Sequence, residues 1–102
     1  MNTEVAIRHH EYPSRVRAHV EPKLEHLGRY YERTHSIKAL LEREGDAHRV
    51  ELVANVGRGV VLVVDERAPS FGAAVDEAVH RMARVLTKHK GKLTERRRAR
   101  SA

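Results

Sequence analysis

The spacing of apolar residues changes along this chain, and those changes constrain the fold more than its composition does. From Thr3 to Arg8 apolar and polar residues alternate, and this period of two predicts a half-buried strand. The same period returns between His35 and Asp65. Breaks at Gly45-Asp46 and Gly57-Arg58-Gly59 divide that stretch into three predicted strands, joined by two tight antiparallel hairpins.

Two further stretches carry apolar residues three and four positions apart, which predicts amphipathic helices. The first follows Pro13 with Ser14 as candidate N-cap, and its stripe is Val16, Val20, Leu24, Leu27 and Tyr31. The second follows Pro69 and Ser70, and its stripe is Val75, Val79, Met82, Leu86 and Leu93. Pro22 interrupts the first helix at a cost of about 3 kcal/mol, so we expect a kink or local distortion there, on the solvent side.

The predicted order of elements is therefore β-α-β-β-β-α. Because a sheet with one apolar face must bury it against the helices' apolar stripes, both helices are expected on the same face of a four-stranded sheet. This predicts an α+β fold, a two-layer sandwich. The 102 residues suffice for one domain over residues 1–94, followed by a basic, disordered tail over 95–102, with no room for a second domain.

Positive charge is concentrated near one end of the chain. From His80 to Arg100 there are nine Lys or Arg residues against Glu95 alone, a local charge of +8, whereas the whole chain carries +6. Residues 1–79 therefore carry 11 basic and 13 acidic side chains, a net −2. Segregated charge of this kind indicates a polyanionic partner.

On the second helix, four cations fall within about 80° of arc beside the apolar stripe: Arg81, Arg84, Lys88 and Lys92. We call these four residues the α2 ridge. A flank of the first helix carries Arg15, His19, Lys23, His26 and Tyr30. Side by side, the two flanks would form one cationic surface. A solvated helix face explains the ridge equally well from the residues alone, and a Glu77–Arg81 pair would contribute only about 0.3 to 0.5 kcal/mol.

Several classes of function are disfavoured. The chain has no cysteine, which excludes disulfides, and no apolar stretch resembling a signal peptide or a membrane span, so a cytoplasmic location is expected. His19 and His26 are seven residues apart, too far for a helical metal-ligand pair, and no metal or other cofactor is expected. Since no nucleophile has an evident base, we expect neither an enzyme nor a small-molecule substrate.

The segments KLEHLGRYYER and AAVDEAVHRMARVLTKHKGKL, together with the order of elements, resemble the short ribosome hibernation-promoting factor family, also called ribosome-associated inhibitors or sigma-54 modulation proteins. The resemblance extends from the first strand to about Leu93. Longer members of the family carry a second, dimerising domain, so the resemblance implies no self-dimerisation domain in this chain. It implies a domain that binds the small ribosomal subunit in the channel for messenger and transfer RNA and inhibits translation during stress or stationary phase. In the family pattern an aromatic residue directly precedes the Ala-Ala pair. In this chain Gly72 stands at that position, and the aromatic Phe71 stands one place earlier.

The resemblance also implies which residues contact ribosomal RNA: Lys23, Arg81, Arg84, Lys88, Lys90 and Lys92. Such contacts with phosphates position a protein without reading sequence. An alternative from the family's older name is a regulator of a sigma factor that uses the same basic surface. A third interpretation, an amphipathic helix on a membrane surface, is weak because the sheet requires the helix's apolar stripe.

Overall fold

The computed structural model describes residues 1–8 and 12–101, with side chains described up to residue 94. The elements are β1 (Asn2–Arg8), α1 (Ser14–Leu27), a 3₁₀ turn (Gly28–Tyr30), β2 (Ser36–Glu44), β3 (Ala47–Asn55), β4 (Val61–Ala68) and α2 (Phe71–Ser101). This order, and the α+β sandwich that it predicts, are confirmed.

The four strands form one mixed sheet in the order β1-β2-β3-β4. β1 and β2 are parallel, because α1 returns the chain between them, and the two hairpins make the remaining pairs antiparallel. The β2–β3 hairpin turns through Gly45 and Asp46, where Gly45 takes the positive φ of 58° that such a tight turn requires.

The core lies between one face of this sheet and the two helices. The inward side chains of β2 and β3 are fully buried, as are those of α2: Ile37, Ala39, Leu41, Val50, Leu52, Ala54, Val75, Met82 and Leu86. α1 packs mainly on β1, and α2 packs on β3 and β4. Both helices therefore cover the same face, as predicted, and the opposite face of the sheet carries no layer among the described residues.

The first helix differs from its prediction at both ends. Pro13 is the N-cap and Ser14 the first helical residue, with no side-chain cap. The helix ends at Leu27, so Tyr31 is buried from an extended segment that follows the 3₁₀ turn, not from the helix. Pro22 lies on the solvent side, as expected, and α1 continues through it.

The second helix begins where Ser70 accepts hydrogen bonds from the first turn, through its side chain from the Ala73 N–H (3.3 Å) and through its carbonyl from the Ala74 N–H (3.1 Å). Its backbone is helical to Ser101. The division at residue 94 and the disordered tail over 95–102 concern residues whose side chains lie outside the described part of the chain, and they stay predictions.

Candidate nucleic-acid interface

The buried stripe of α2 determines where its cations lie. Met82 and Leu86 are fully buried on the sheet, and Arg84 and Lys88 each follow one of them by two residues, which is about 200° around the helix. Both side chains are exposed and directed away from the sheet. Together with exposed Lys92, they have no acidic partner among the described residues.

Arg81, the fourth residue of the α2 ridge, is held by the sheet. Its Nη1 donates a hydrogen bond of 2.8 Å to Glu66 Oε1 on β4, with 53% of the arginine side chain still exposed. The partner is therefore Glu66, fifteen residues away, and not Glu77 on the same helix. An ion pair this exposed contributes at most about 1 kcal/mol, so Arg81 remains available to another anion.

Lys23 lies between the two helices. Its Nζ is 3.8 Å from Asp76 Oδ1 of α2, and the lysine side chain is 35% exposed. This contact directs the cationic flank of α1 toward α2, as the sequence predicted. Asp76 and Arg81 are five residues apart, however, which places them about 140° apart around α2.

The two flanks therefore do not meet as one strip. α2 presents Asp76 to α1 and Arg81 to β4, while Arg84 and Lys88 lie between them on the outer side of the helix. The expectation of adjoining basic flanks is wrong in this respect, because the arc of the α2 ridge begins on the side of the helix that is remote from α1. The cations instead form a broad layer across the tops of both helices.

Lys90 is a cation on the side of α2 that faces α1. Its Nζ donates a hydrogen bond of 3.1 Å to Glu32 Oε2, in the segment that follows the 3₁₀ turn. Nine residues separate Lys90 from Arg81, so the two side chains leave α2 in opposite directions. The pKa of Glu32 is lowered by its own backbone N–H and by Lys90, which keeps the pair ionised. Lys90 thus links α2 to the segment that follows the 3₁₀ turn.

The opposite face of the sheet has a different electrostatic character. Arg49 donates to Glu42 (2.6 Å), Glu51 (3.0 Å) and Asp65 (2.7 Å), and only 18% of its side chain is exposed. The bonds with Asp65 and Glu42 raise the pKa of Arg49, and the bond from Arg49 lowers the pKa of Asp65. One guanidinium therefore bridges acids from three strands.

The two layers of the sandwich differ in net charge. Strand residues whose side chains face away from the helices comprise five acids and four bases, a net −1: Glu4, Glu42, Glu44, Glu51, Asp65, Arg8, Lys38, Arg49 and Arg67. Residues 14–30 carry four bases and two acids, and residues 71–94 carry five bases and two acids, a sum of +5 for the helix layer. A polyanion is attracted to the helix layer.

Two arginines that the sequence did not single out stand at the same end of the molecule as Lys90. Arg33 follows Glu32, and Arg58 lies in the β3–β4 hairpin, which the Gly-Arg-Gly pattern predicted only as a turn. Their proximity depends on tertiary packing, so no local spacing in the sequence could have revealed it.

The described residues contain no group of three or more His, Cys, Asp or Glu side chains arranged to hold a metal ion. In the same part of the chain, no helix has the length and apolar character needed to cross a membrane.

Comparison with known proteins finds relatives in sequence and in fold. The ribosome hibernation promoting factors of Escherichia coli K12 and Shigella flexneri are each 29% identical over 85 residues, covering 83% of this chain and 88% of those proteins. The N-terminal domain of Thermus thermophilus Protein Y is 28% identical and superposes with a TM-score of 0.75 over 87% of this chain and 99% of that domain.

A ribosomal subunit interface protein from Coxiella burnetii has the same fold, with a TM-score of 0.80 at 15% identity over 89% of this chain and 99% of that one. The family model described as sigma 54 modulation protein / S30EA ribosomal protein matches residues 3–94. That range includes both helices up to the last residue with a described side chain. The chain belongs to the sigma 54 modulation protein / S30EA ribosomal protein family.

Proposed function

We propose that this protein is a ribosome hibernation factor that binds the small ribosomal subunit through its helix layer, in the channel for messenger and transfer RNA, and thereby inhibits translation under stress. The observation that carries the proposal is the separation of charge, with +5 on the helix layer and −1 on the opposite face of the sheet. The names of the relatives support a role on the ribosome in the cytoplasm.

The cations have distinct roles in this proposal. Arg84, Lys88 and Lys92 are exposed, without an acidic partner among the described residues, and would contact phosphates directly. Arg81, Lys23 and Lys90 already hold a carboxylate each and would exchange it for a phosphate. Because phosphate contacts carry little sequence information, the shape of the two-helix layer against folded RNA would provide specificity.

Binding through this layer is tested by cosedimentation with purified small subunits over a series of salt concentrations. The variant Arg84→Gln/Lys88→Gln should lose most of its binding at moderate salt and reduce the slope of log K against log salt by about 1.4 to 1.8, since roughly 0.7 to 0.9 is lost with each phosphate contact. The control Lys38→Gln/Arg67→Gln removes the same charge from the opposite face, where both side chains are more than half exposed. It should bind like the original protein.

Equal losses in the two double variants would contradict a specific role for the helix layer and indicate a dependence on net charge alone. The second candidate is modulation of a sigma factor, which the family's description supports. Failure to cosediment with small subunits at low salt, combined with stable binding to a sigma factor, would favour it.

A further inference from the structure

The β3–β4 hairpin holds an arginine in an unusual backbone conformation. Gly57, Arg58 and Gly59 have φ values of 85°, 55° and 74°. The Val60 N–H donates to the Gly57 carbonyl (3.0 Å), so Arg58 and Gly59 occupy the two central positions of a tight turn with positive φ at both. The Gly57 N–H also donates to Asn55 Oδ1 (3.0 Å), which secures the entrance to the turn.

Arg58 is poorly suited to this turn. A left-handed conformation brings a side chain's Cβ close to the following carbonyl, which is why glycine, asparagine and aspartate predominate at this position. The Arg58 side chain is exposed and makes no hydrogen bond or ion pair with the described residues. Among the described residues, no contact of the Arg58 side chain offsets the conformational cost of an arginine here, and strained backbone of this kind clusters at functional sites.

Arg58 lies at the rim of a cleft at one end of the sandwich. The cleft has a volume of about 710 Å³ and is formed by the segment 31–35, the β3–β4 hairpin and α2. Its apolar surface comes from Tyr31, Val56 and Leu93. We call it the end cleft. Its volume is within the range of about 300 to 1,000 Å³ that accommodates small organic ligands.

The polar groups of the end cleft favour an anionic, aromatic ligand. The lining contains two guanidinium groups, Arg33 and Arg58, and two imidazoles, His35 and His89, against one carboxylate, Glu32. Because Lys90 pairs with Glu32, the three cations and one acid leave a local charge of +2. Flat guanidinium and imidazole groups stack on nucleobases, and arginine forms paired hydrogen bonds with phosphate.

The hairpin and the imidazoles are in close contact. A Cβ atom on Gly57 would lie 3.1 Å from His35 Nε2, so glycine at this position lets the His35 ring approach the turn. The His89 ring, also in the lining of the cleft, meets buried Tyr31 edge-on with centroids 5.4 Å apart. Two rings from different elements therefore flank the same opening.

We propose that the end cleft binds one unstacked nucleotide of single-stranded RNA, with the phosphate on Arg58 and the base between the His35 and His89 rings. This inference rests on the proposed function, since it adds a second RNA contact at the end of the helix layer that Lys90 occupies. The cleft would contact RNA that leaves a duplex, whereas the α2 ridge contacts phosphates of any geometry.

The test uses NMR titration of the full chain with a single-stranded hexauridylate, which can supply both an unstacked base and a phosphate. We expect the ring signals of His35 and His89 and the methyl signals of Val56 and Val60 to shift on binding. In Arg58→Gly these shifts should fall at least fivefold, whereas Arg58→Lys should retain most of them because it keeps the positive charge.

Arg58→Gly separates an RNA contact from a structural role in the turn. If Arg58 had only a structural role, this variant would keep the shifts that the RNA induces. Glycine relieves the strain of positive φ but adds freedom to the unfolded chain, so the melting temperature should change by no more than about 3 °C. Hexaglutamate serves as the polyanion control and should leave the ring signals of His35 and His89 unchanged. Shifts confined to α1 and α2, equal shifts in Arg58→Gly, or equal shifts with hexaglutamate would each overturn the inference.

The titration separates this inference from the proposed function. Cleft shifts that depend on Arg58, in a protein that fails to cosediment with small subunits, would support the cleft and contradict the ribosomal role. Normal cosedimentation of both the original protein and Arg58→Gly, with no cleft shifts, would support the ribosomal role and overturn the cleft.

Discussion

Lys23 and Asp76 face one another between the two helices, with Nζ and Oδ1 3.8 Å apart. This contact places one carboxylate within the cationic layer that is proposed to meet RNA. Because the side chains are 35% and 71% exposed, solvent screens the attraction and the pair adds little to stability. Its main consequence is that Asp76 competes with phosphate for Lys23.

Replacing Asp76 by Asn should therefore strengthen binding to small subunits. The change releases Lys23 and removes one negative charge from the RNA-facing layer, so we expect the dissociation constant to fall about threefold to tenfold at low salt, and less as salt screens the charge. Filter binding or fluorescence anisotropy with labelled protein would measure it.

Glu77→Gln is the matched control, because it removes the same charge from the next residue of α2 without releasing Lys23. Its effect should be smaller than that of Asp76→Asn. Equal gains would mean that net charge matters and the Lys23–Asp76 contact does not.

Arg49 is predicted to be the surface-facing residue that matters most for stability. Replacement by Met would leave Glu42, Glu51 and Asp65 close together without their shared cation. We expect a loss of about 2 to 4 kcal/mol in the free energy of unfolding, below the full effect of breaking a buried pair because the site is partly open to water. Urea denaturation monitored by circular dichroism would measure this.

Arg67→Met provides the comparison on the same face. Arg67 is 53% exposed and its pair with Glu44, 2.9 Å apart, is open to solvent, so the loss should be much smaller than that of Arg49→Met. Similar losses in the two variants would show that the three-acid cluster of Arg49 has no special role.

Asp65 should make stability depend on acid pH. The hydrogen bonds from Arg49 lower the pKa of its carboxyl below the ordinary 3.8. A carboxyl with a depressed folded pKa contributes stability above its unfolded pKa and loses that contribution as pH falls through the folded value. The free energy of unfolding should therefore decrease as pH falls below about 4.

Asp65→Asn should be less stable at neutral pH and should show a shallower decrease with acid, measured by urea denaturation at several pH values. An unchanged slope in this variant would contradict the assigned role of Asp65.

The orientation of the α2 ridge could be predicted from the sequence, because helical geometry relates Arg84 and Lys88 to Met82 and Leu86 over a few residues. The partners of the other cations could not. Lys90 meets Glu32 across 58 residues of sequence, and such contacts depend on how α1, α2 and the connecting segments pack. The order of element types followed from apolar periodicity alone.

The Arg49 cluster shows the same limit for the sheet. Its acids are spread over three strands. They come together only because the register places Arg49 opposite Glu42 and places Glu51 between Leu40 and Asp65. A sequence pattern gives which face a side chain occupies, but it does not give its neighbours across strands. The Gly-Arg-Gly pattern likewise predicts a turn at Arg58, but it does not predict the end cleft beside that turn.

The helix layer, and not the open face of the sheet, is proposed to meet small-subunit RNA. Because the chain contains no cysteine, a single cysteine carrying an iron chelate can generate hydroxyl radicals at a chosen point. Glu77→Cys places it on an exposed position of α2, and Val63→Cys places it on the open face of the sheet, where Val63 is 55% exposed. Both proteins would be bound to small subunits and the cleavage of ribosomal RNA mapped by primer extension. We expect strong cleavage at clustered positions from residue 77 and weak or no cleavage from residue 63. Stronger cleavage from residue 63 would contradict binding through the helix layer.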